Sequence, residues 1–310
     1  MVALNHLTGL KNLNRKDIED ILNIAEGLED ICTGKEVSRL LEDKLMVTLF
    51  YEPSTRTRLS FESAMNRLGG RVVSVADARG TSSAWKGETL PDAMRTIDNY
   101  ADVIVLRHSE AGAAEEAASY SRVPLLNAGD GTNEHPSQGL LDLLTIRKER
   151  GTLDGLKVTL VGDLKHTRST NSLTLGLSNF DVELTFVSPP DFAPSPWLIE
   201  RVKERNLPFA LTEDLGEAVR DADVVYVCRI QKERLADPDD YKKIEGAYVL
   251  NRSTLEKASQ VVTVMHHLPR VGELSEDVDD YPGAAYFRQP LNGVLVRAAV
   301  LTVIFDRIPG

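Results

Sequence analysis

The sequence predicts an α/β protein of two doubly wound parallel-sheet domains, with a seam near residues 136–151. Three observations point there. Short apolar, partly β-branched runs alternate with amphipathic helical segments along the chain, the pattern of a parallel sheet with helices on both faces. After Gly151-Thr152-Leu153-Asp154-Gly155 a second strand–helix series begins afresh. A chain of 310 residues is also long enough for two domains of ordinary size.

In chain order, Asn14 followed by Ile18, Ile21, Leu22, Ile24, Ala25 and Leu28 predicts an Asn-capped amphipathic helix. Leu45-Met46-Val47-Thr48-Leu49-Phe50 predicts a buried strand. Pro53 biases Glu52 towards an extended conformation and marks a boundary. Ser54 or Thr55 can then cap a helix on which Leu59, Phe61, Ala64, Met65 and Leu68 recur, with Gly69-Gly70 as its stop. Strands follow at 71–75, 103–106 and 123–127, with a polar loop at 77–89 and a helix at 90–100 between the first two. A helix opens at His135-Pro136-Ser137-Gln138 and runs to about Lys148, Pro136 taking a favoured first-turn position. The second series has strands at 157–163, 182–187, 223–227, 247–250 and 261–264, and a helix near 195–205. The last apolar segment, 293–308, reads as a helix with Val294, Ala298, Leu301 and Phe305 on one face, crossing back to the first half.

Composition narrows the function. Lys plus Arg total 36 against 47 Asp plus Glu, a net charge of −11, which argues against nucleic acid as the main partner. The two cysteines, Cys32 and Cys228, cannot build a disulfide framework or a four-thiolate metal site. The beginning, Met-Val-Ala-Leu-Asn-His, lacks the basic end and apolar run of a signal peptide, and no stretch approaches the roughly 18 apolar residues of a membrane helix. The expectation is a cytoplasmic protein with no membrane partner. The sequence has no G-x-x-x-x-G-K-[ST] loop, dinucleotide fingerprint, G-x-S-x-G elbow or H-E-x-x-H pair.

Chemistry concentrates at strand ends. In Ser54-Thr55-Arg56-Thr57-Arg58, three hydroxyls and two guanidiniums crowd one helix start. Free N–H groups and a positive dipole end already favour an anion there, and the arginines are unfavourable unless one joins them. A phosphate fits best, because a guanidinium fork matches its oxygens. Arg107 and His135 also follow predicted strands, where ligands of open α/β sheets lie. Taken singly, Arg107 can be a strand-end charge facing water, and His135 is equally a helix cap. Ser82, Ser83 and Lys86 lie between Gly80 and Gly87, a loop that reads alone as a solvated surface. In the second half, Arg168, Arg229, Gln231 and Arg234 follow strand ends and suggest a second anion site, facing the first across a cleft. His266-His267 is a poor metal signal, with no further ligand at usable spacing.

Together, Ser54-Thr55-Arg56-Thr57-Arg58, Lys86-Gly87-Glu88-Thr89, His135-Pro136-Ser137-Gln138 and Leu268-Pro269-Arg270 resemble the aspartate/ornithine carbamoyltransferase family, in the family's order and over nearly the whole chain. Glu52-Pro53, the Ser82 to Thr89 loop and Arg229-Ile230-Gln231-Lys232-Glu233-Arg234 are similar to its aspartate branch. The ornithine branch carries a cysteine where this chain has His267; the aspartate branch usually has proline there. The resemblance implies transfer of a carbamoyl group from carbamoyl phosphate to L-aspartate, an early step of pyrimidine biosynthesis, without metal or organic cofactor. It implies a carbamoyl-phosphate-binding domain over 1–135 completed by a C-terminal helix at about 290–310, a linking helix at 136–150, and an aspartate-binding domain over 151–289. Ser54, Thr55, Arg56 and Thr57 would hold the phosphate, with Arg107 reaching phosphate and carbonyl oxygen. His135 would meet the carbonyl oxygen, Gln138 the carbamoyl amino group, and the backbone of Leu268 and Pro269 the carbamoyl group. Arg168, Arg229 and Gln231 would bind aspartate with Lys86, while Ser82 and Lys86 would enter from a neighbouring subunit of a homotrimer. A separate regulatory chain is a further possible partner. The rival readings are transfer to ornithine or another acceptor, and a non-catalytic anion-binding module on the same fold.

Overall fold

The computed structural model describes residues 2–81, 87–230 and 248–308. Ser82, Lys86 and Gln231, and with them Ser83 and Arg234, lie outside the described residues. The chain divides into two compact units, Met1–Leu141 with Pro290–Gly310, and Asp142–Gln289.

In the first unit, β1 (Leu45–Phe50), β2 (Arg71–Val75), β3 (Val103–His108) and β4 (Leu125–Asp130) lie in the order β2-β1-β3-β4, and each pairing is parallel. β1 is buried from Met46 to Phe50, as an apolar strand covered on both faces should be, and β4 is buried throughout although it carries Asn127 and Asp130. β2 is the open edge and leaves Val73 exposed. The helix Arg56–Arg67 buries Phe61, Ala64 and Met65, but Leu59 points outward. Leu59 and Phe61 are two residues apart, which sets them on opposite sides of a helix, so they cannot share its apolar face. β4 starts at Leu125, two residues after the predicted start: Pro124 has no N–H for the ladder.

The first helix, Arg15–Gly27, carries the predicted cap as a capping box: Asp17 N–H donates to Asn14 Oδ1 at 3.0 Å and Asn14 N–H to Asp17 Oδ2 at 3.1 Å. Asn14→Ala is expected to lower stability by about 1 kcal/mol in chemical denaturation, the usual worth of such a cap. The C-terminal helix is Gln289–Ile304, four residues ahead of its predicted start. Residues 295–303 are buried almost all round, so a one-sided periodicity poorly marks its ends. Its Arg297 guanidinium lies 4.9 Å from the centre of the Phe61 ring, within the first unit.

In the second unit, β5 (Leu156–Val161), β6 (Val182–Val187), β7 (Phe209–Thr212), β8 (Val224–Val227) and β9 (Thr263–His266) run parallel in the order β7-β6-β5-β8-β9. Val161, Val187, Val225, Val227, Val264 and Tyr286 belong to one buried cluster. Several strand expectations change: β5, expected at 157–163, ends at Val161, where Gly162 turns to φ 116. Of 247–250, the described residues keep only an isolated bridge between Leu250 and Leu274. β9 begins two residues late because Val262 N–H is taken by the Tyr281 hydroxyl at 3.0 Å. No helix among the described residues is long and apolar enough to cross a membrane.

Candidate active site

Two clusters form, one at the carboxyl end of each sheet. In the first unit, β1 pairs with β3 so that Phe50 lies opposite Arg107, and Tyr51 N–H donates to the Arg107 carbonyl at 2.8 Å. Register alone therefore places the Glu52–Thr57 turn beside the Arg107 side chain. The helix after this turn has Thr55 as its N-cap in αR geometry, with no side-chain cap hydrogen bond. The predicted hydroxyl cap is not made, because a capping side chain needs an extended residue at that position. The first turn thus keeps backbone donors aimed outward from a positive helix end.

Arg56 opens this helix and is exposed, whereas Thr57 is buried. Thr57 Oγ1 lies 3.1 Å from His135 Nε2. Ser60 steadies the turn, its hydroxyl donating to the carbonyls of Arg56 at 2.8 Å and Thr57 at 3.1 Å. Arg58 does not join the cluster. Its Nη1 donates to Ser74 Oγ at 3.2 Å and lies 3.6 Å from Glu62 Oε1, one helical turn on. Of the two guanidiniums of this turn, it is therefore Arg56 that stays at the helix start.

Arg107 is largely buried; its Nη1 donates to the Ala128 carbonyl at 3.2 Å and its Nε lies 3.4 Å from Glu52 Oε2. Glu52, read from the sequence only as a boundary, is thus an ion-pair partner. His135 is buried, and its carbonyl receives the N–H groups of Gln138 and Gly139 at 2.9 and 3.1 Å, opening the helix Pro136–Arg150. The two alternatives for His135 are compatible: its backbone starts the helix while its ring reaches Thr57. Gln138 stands in the first turn of the same helix and is half-buried.

In the second unit, β5, β8 and β9 are neighbours, with Val161 opposite Val227 and Val227 opposite His266. The residues after these three strands therefore gather at the carboxyl end of the sheet. Arg168 opens the helix Arg168–Leu177, Arg229 comes just after β8, and Leu268-Pro269 just after β9. Arg168 and Arg229 are half-buried. The Leu268–Pro269 peptide is cis and Leu268 has φ 55, a left-handed backbone that a branched residue adopts only when its surroundings hold it there.

Those surroundings are visible. Leu268 N–H donates to His266 Nδ1 at 2.7 Å, so the proton of that ring sits on Nε2, which faces Glu273 Oε1 at 2.7 Å. Burial would raise the Glu273 carboxyl, but the His266 hydrogen bond and backbone donors outweigh it and hold it below its ordinary value. His266 N–H in turn donates to Gln289 Oε1 at 2.9 Å, whose Nε2 donates to Asp142 Oδ1 at 2.8 Å. His267 fits without disturbing this loop, stacking on Tyr226 with ring planes 16° apart and on His266 at 19°. Arg270 is turned to Asp279, its Nη2 donating to Oδ2 at 2.8 Å, which with the Tyr286 hydroxyl holds that carboxyl at about 2. Among the described residues no group of three or more His, Cys, Asp and Glu side chains is placed to hold a metal ion.

The structure thus joins Thr57 to His135 and Arg107 to Glu52 in the first unit, and sets Arg168, Arg229 and Leu268-Pro269 beyond the carboxyl ends of neighbouring strands in the second. Sequence reasoning missed the parts that Glu52, His266 and Glu273 play in holding these groups.

Comparison with known proteins finds one family over both halves of the chain. The model of the aspartate/ornithine carbamoyltransferase carbamoyl-P binding domain matches residues 5–148, and that of the Asp/Orn binding domain matches residues 154–304. The aspartate carbamoyltransferase catalytic subunit of Methanocaldococcus jannaschii is 47% identical over 304 residues, 98% of each chain. That of Thermoplasma volcanium is 45% identical, covering 97% of this chain and 98% of its own. The solved catalytic subunit of M. jannaschii aspartate transcarbamoylase superposes with a TM-score of 0.90 over 98% of each chain, at 47% identity. Trypanosoma cruzi aspartate transcarbamoylase in complex with carbamoyl aspartate and phosphate does so with a TM-score of 0.91 over 98% of each chain, at 37% identity. Both halves of the sequence and both sheets are accounted for in the same way: the chain belongs to the aspartate/ornithine carbamoyltransferase family.

Proposed function

We propose that the protein transfers the carbamoyl group of carbamoyl phosphate to the amino group of L-aspartate, giving N-carbamoyl-L-aspartate and phosphate, an early step of pyrimidine biosynthesis. The observation that carries the choice of acceptor is the pair Arg168 and Arg229, brought to the carboxyl end of the sheet by adjacent strands. Two guanidiniums suit a dicarboxylic amino acid and would repel the cationic side chain of ornithine. The T. cruzi relative solved with carbamoyl aspartate and phosphate supports the same substrates.

The unprotonated amine of aspartate attacks the carbamoyl carbon. A C–N bond forms, charge builds on the carbonyl oxygen, and the C–O bond to phosphate then breaks. Thr57, Arg107 and His135 are donors for that oxygen, preorganised in a partly dry site where such groups count most. The departing phosphate, itself basic, takes the proton of the amine. Ser54, Thr55 and Arg56 hold it through the uncapped helix start, Gln138 holds the carbamoyl amino group, and the Leu268-Pro269 backbone contacts the carbamoyl group. Lys86 and Gln231 join Arg168 and Arg229 around aspartate. In this reading, residues 1–135 with the helix at 290–310 bind carbamoyl phosphate, 136–150 link, and 151–289 bind aspartate.

A homotrimer with Ser82 and Lys86 supplied by a neighbouring subunit is part of this proposal. The open edge β2 supports it, with Val73 50% exposed and Leu59 and Val37 at 50% and 89% in the same unit, apolar surface suited to a subunit contact. The relatives are catalytic subunits, which supports a separate regulatory chain. A cytoplasmic location is the compartment this reading implies.

The deciding assay measures carbamoylated product from carbamoyl phosphate with aspartate, with ornithine, or with neither. Product with aspartate alone supports the reading; product with ornithine alone, or with neither acceptor, refutes it. Arg229→Ala is expected to abolish most aspartate use while leaving carbamoyl phosphate binding measurable by calorimetry. Equal loss of both would show that the two clusters are not separate half-sites.

A further inference from the structure

We infer that Asp130 is a positioning residue, whose carboxylate sets both Arg107 and His135 for the reaction; this rests on the proposed function. Asp130 ends β4 and is 1% exposed. It gathers donors from four residues. Oδ1 receives Asn127 Nδ2 at 2.8 Å and Glu134 N–H at 3.2 Å, and Oδ2 receives Gly112 N–H at 2.9 Å and Asn133 Nδ2 at 3.0 Å. Its own N–H donates to the Glu134 carbonyl at 3.2 Å, and its carbonyl receives Asn133 N–H at 3.0 Å. The loop after β4 is therefore closed around one side chain.

Two arms lead from that centre to the reacting groups. On one side, Glu134 directly precedes His135, whose ring meets Thr57. On the other, Asn127 Oδ1 receives Gly129 N–H at 2.7 Å, bracketing Ala128, whose carbonyl receives Arg107. The loop is anchored from outside as well: Asn127 Nδ2 reaches the Thr8 carbonyl at 2.8 Å, and Leu10 N–H reaches Glu134 Oε2 at 2.7 Å. Gly131, with φ 51, runs so close to the 110–112 turn that an added Cβ would lie 2.5 Å from Ala111 N. The turn that donates Gly112 N–H is thus packed onto the loop it helps to hold.

Asp130→Asn keeps size and shape but exchanges one acceptor oxygen for an NH₂ group. In either orientation that group faces two donors, so two of the four hydrogen bonds are lost and two N–H groups are opposed. A residue that only stabilised the fold would lower the melting temperature and leave the folded enzyme's turnover unchanged. Positioning predicts that kcat falls about 10- to 100-fold in folded Asp130→Asn, the scale of a small displacement of reacting groups. The KM for carbamoyl phosphate rises, while that for aspartate stays within about 3-fold, since Arg168 and Arg229 belong to another unit. Asn133→Ala, which removes one donor, is expected to shift kcat and the carbamoyl phosphate KM in the same direction by less. It serves if Asp130→Asn does not fold. In ¹⁵N-histidine-labelled protein, the His135 ring signals should move in either variant. Folded variants with unmoved His135 signals, or with kcat and carbamoyl phosphate KM within about 2-fold of the unaltered chain, would overturn the inference. If the unaltered chain makes no carbamoyl aspartate, the proposed function fails, and the His135 ring signals alone decide for or against the clamp.

Discussion

His135→Ala is expected to lower kcat by roughly 10- to 1000-fold, the scale of removing one preorganised oxyanion donor. The substitution is a clean probe because the helix start uses the His135 carbonyl rather than its ring: Gln138 and Gly139 donate to that carbonyl, and alanine offers the same one. The imidazole beside Thr57 alone disappears. The far-ultraviolet circular dichroism should stay that of the unaltered protein while turnover at saturating substrates drops. Unchanged turnover in a folded variant would remove His135 from the reaction.

The largest expected effect on stability is at Gly162, with Gly162→Ala costing about 3 to 5 kcal/mol from overpacking and left-handed strain together. Gly162 has φ 116, and a Cβ there would lie 2.0 Å from the Cys228 carbonyl oxygen, a backbone atom that cannot rotate away. That oxygen is fixed by the sheet, since Cys228 N–H donates to the Val161 carbonyl at 2.8 Å and Gly162 N–H to the Val187 carbonyl at 3.0 Å. Gly155 supplies the control. Its φ of 74 is also left-handed, but nothing lies within 4 Å of an added Cβ, so Gly155→Ala should cost only about 1 kcal/mol. Urea midpoints separate the two. Equal midpoints would mean that the approach of Gly162 to Cys228 does not limit stability.

The sequence disclosed those parts of the fold whose pattern is local. β1, β2 and β6 stand at their predicted bounds because apolar runs between turn residues mark a strand without help from elsewhere. β7 was missed: Phe209-Ala210-Leu211-Thr212 is short, lies on an edge and leaves Leu211 exposed. The helix Arg168–Leu177 was missed for the opposite reason. It is buried from Ser169 to Leu177 and rich in Ser, Thr and Asn, so it shows neither an apolar stripe nor strong helix propensity. The site divides in the same way. Arginines and a histidine after strands are legible one at a time. That Arg58 belongs to Glu62 and Ser74 while Arg107 rests on Ala128 depends on pairings across distant segments, which spacing does not encode.

The return of the helix Gln289–Ile304 to the first unit has a consequence for how the protein forms. The second unit is inserted within the first, so a ribosome completes all of residues 142–289 before it supplies the helix that sets Arg297 over Phe61. During synthesis, the second unit has its whole sequence available and can collapse locally, while the first waits with an apolar face uncovered. Closing such a long loop is slow relative to local contacts. The first unit is therefore the later of the two to mature, and the stage most exposed to aggregation or chaperone capture is a chain whose helix Gln289–Ile304 has not yet docked.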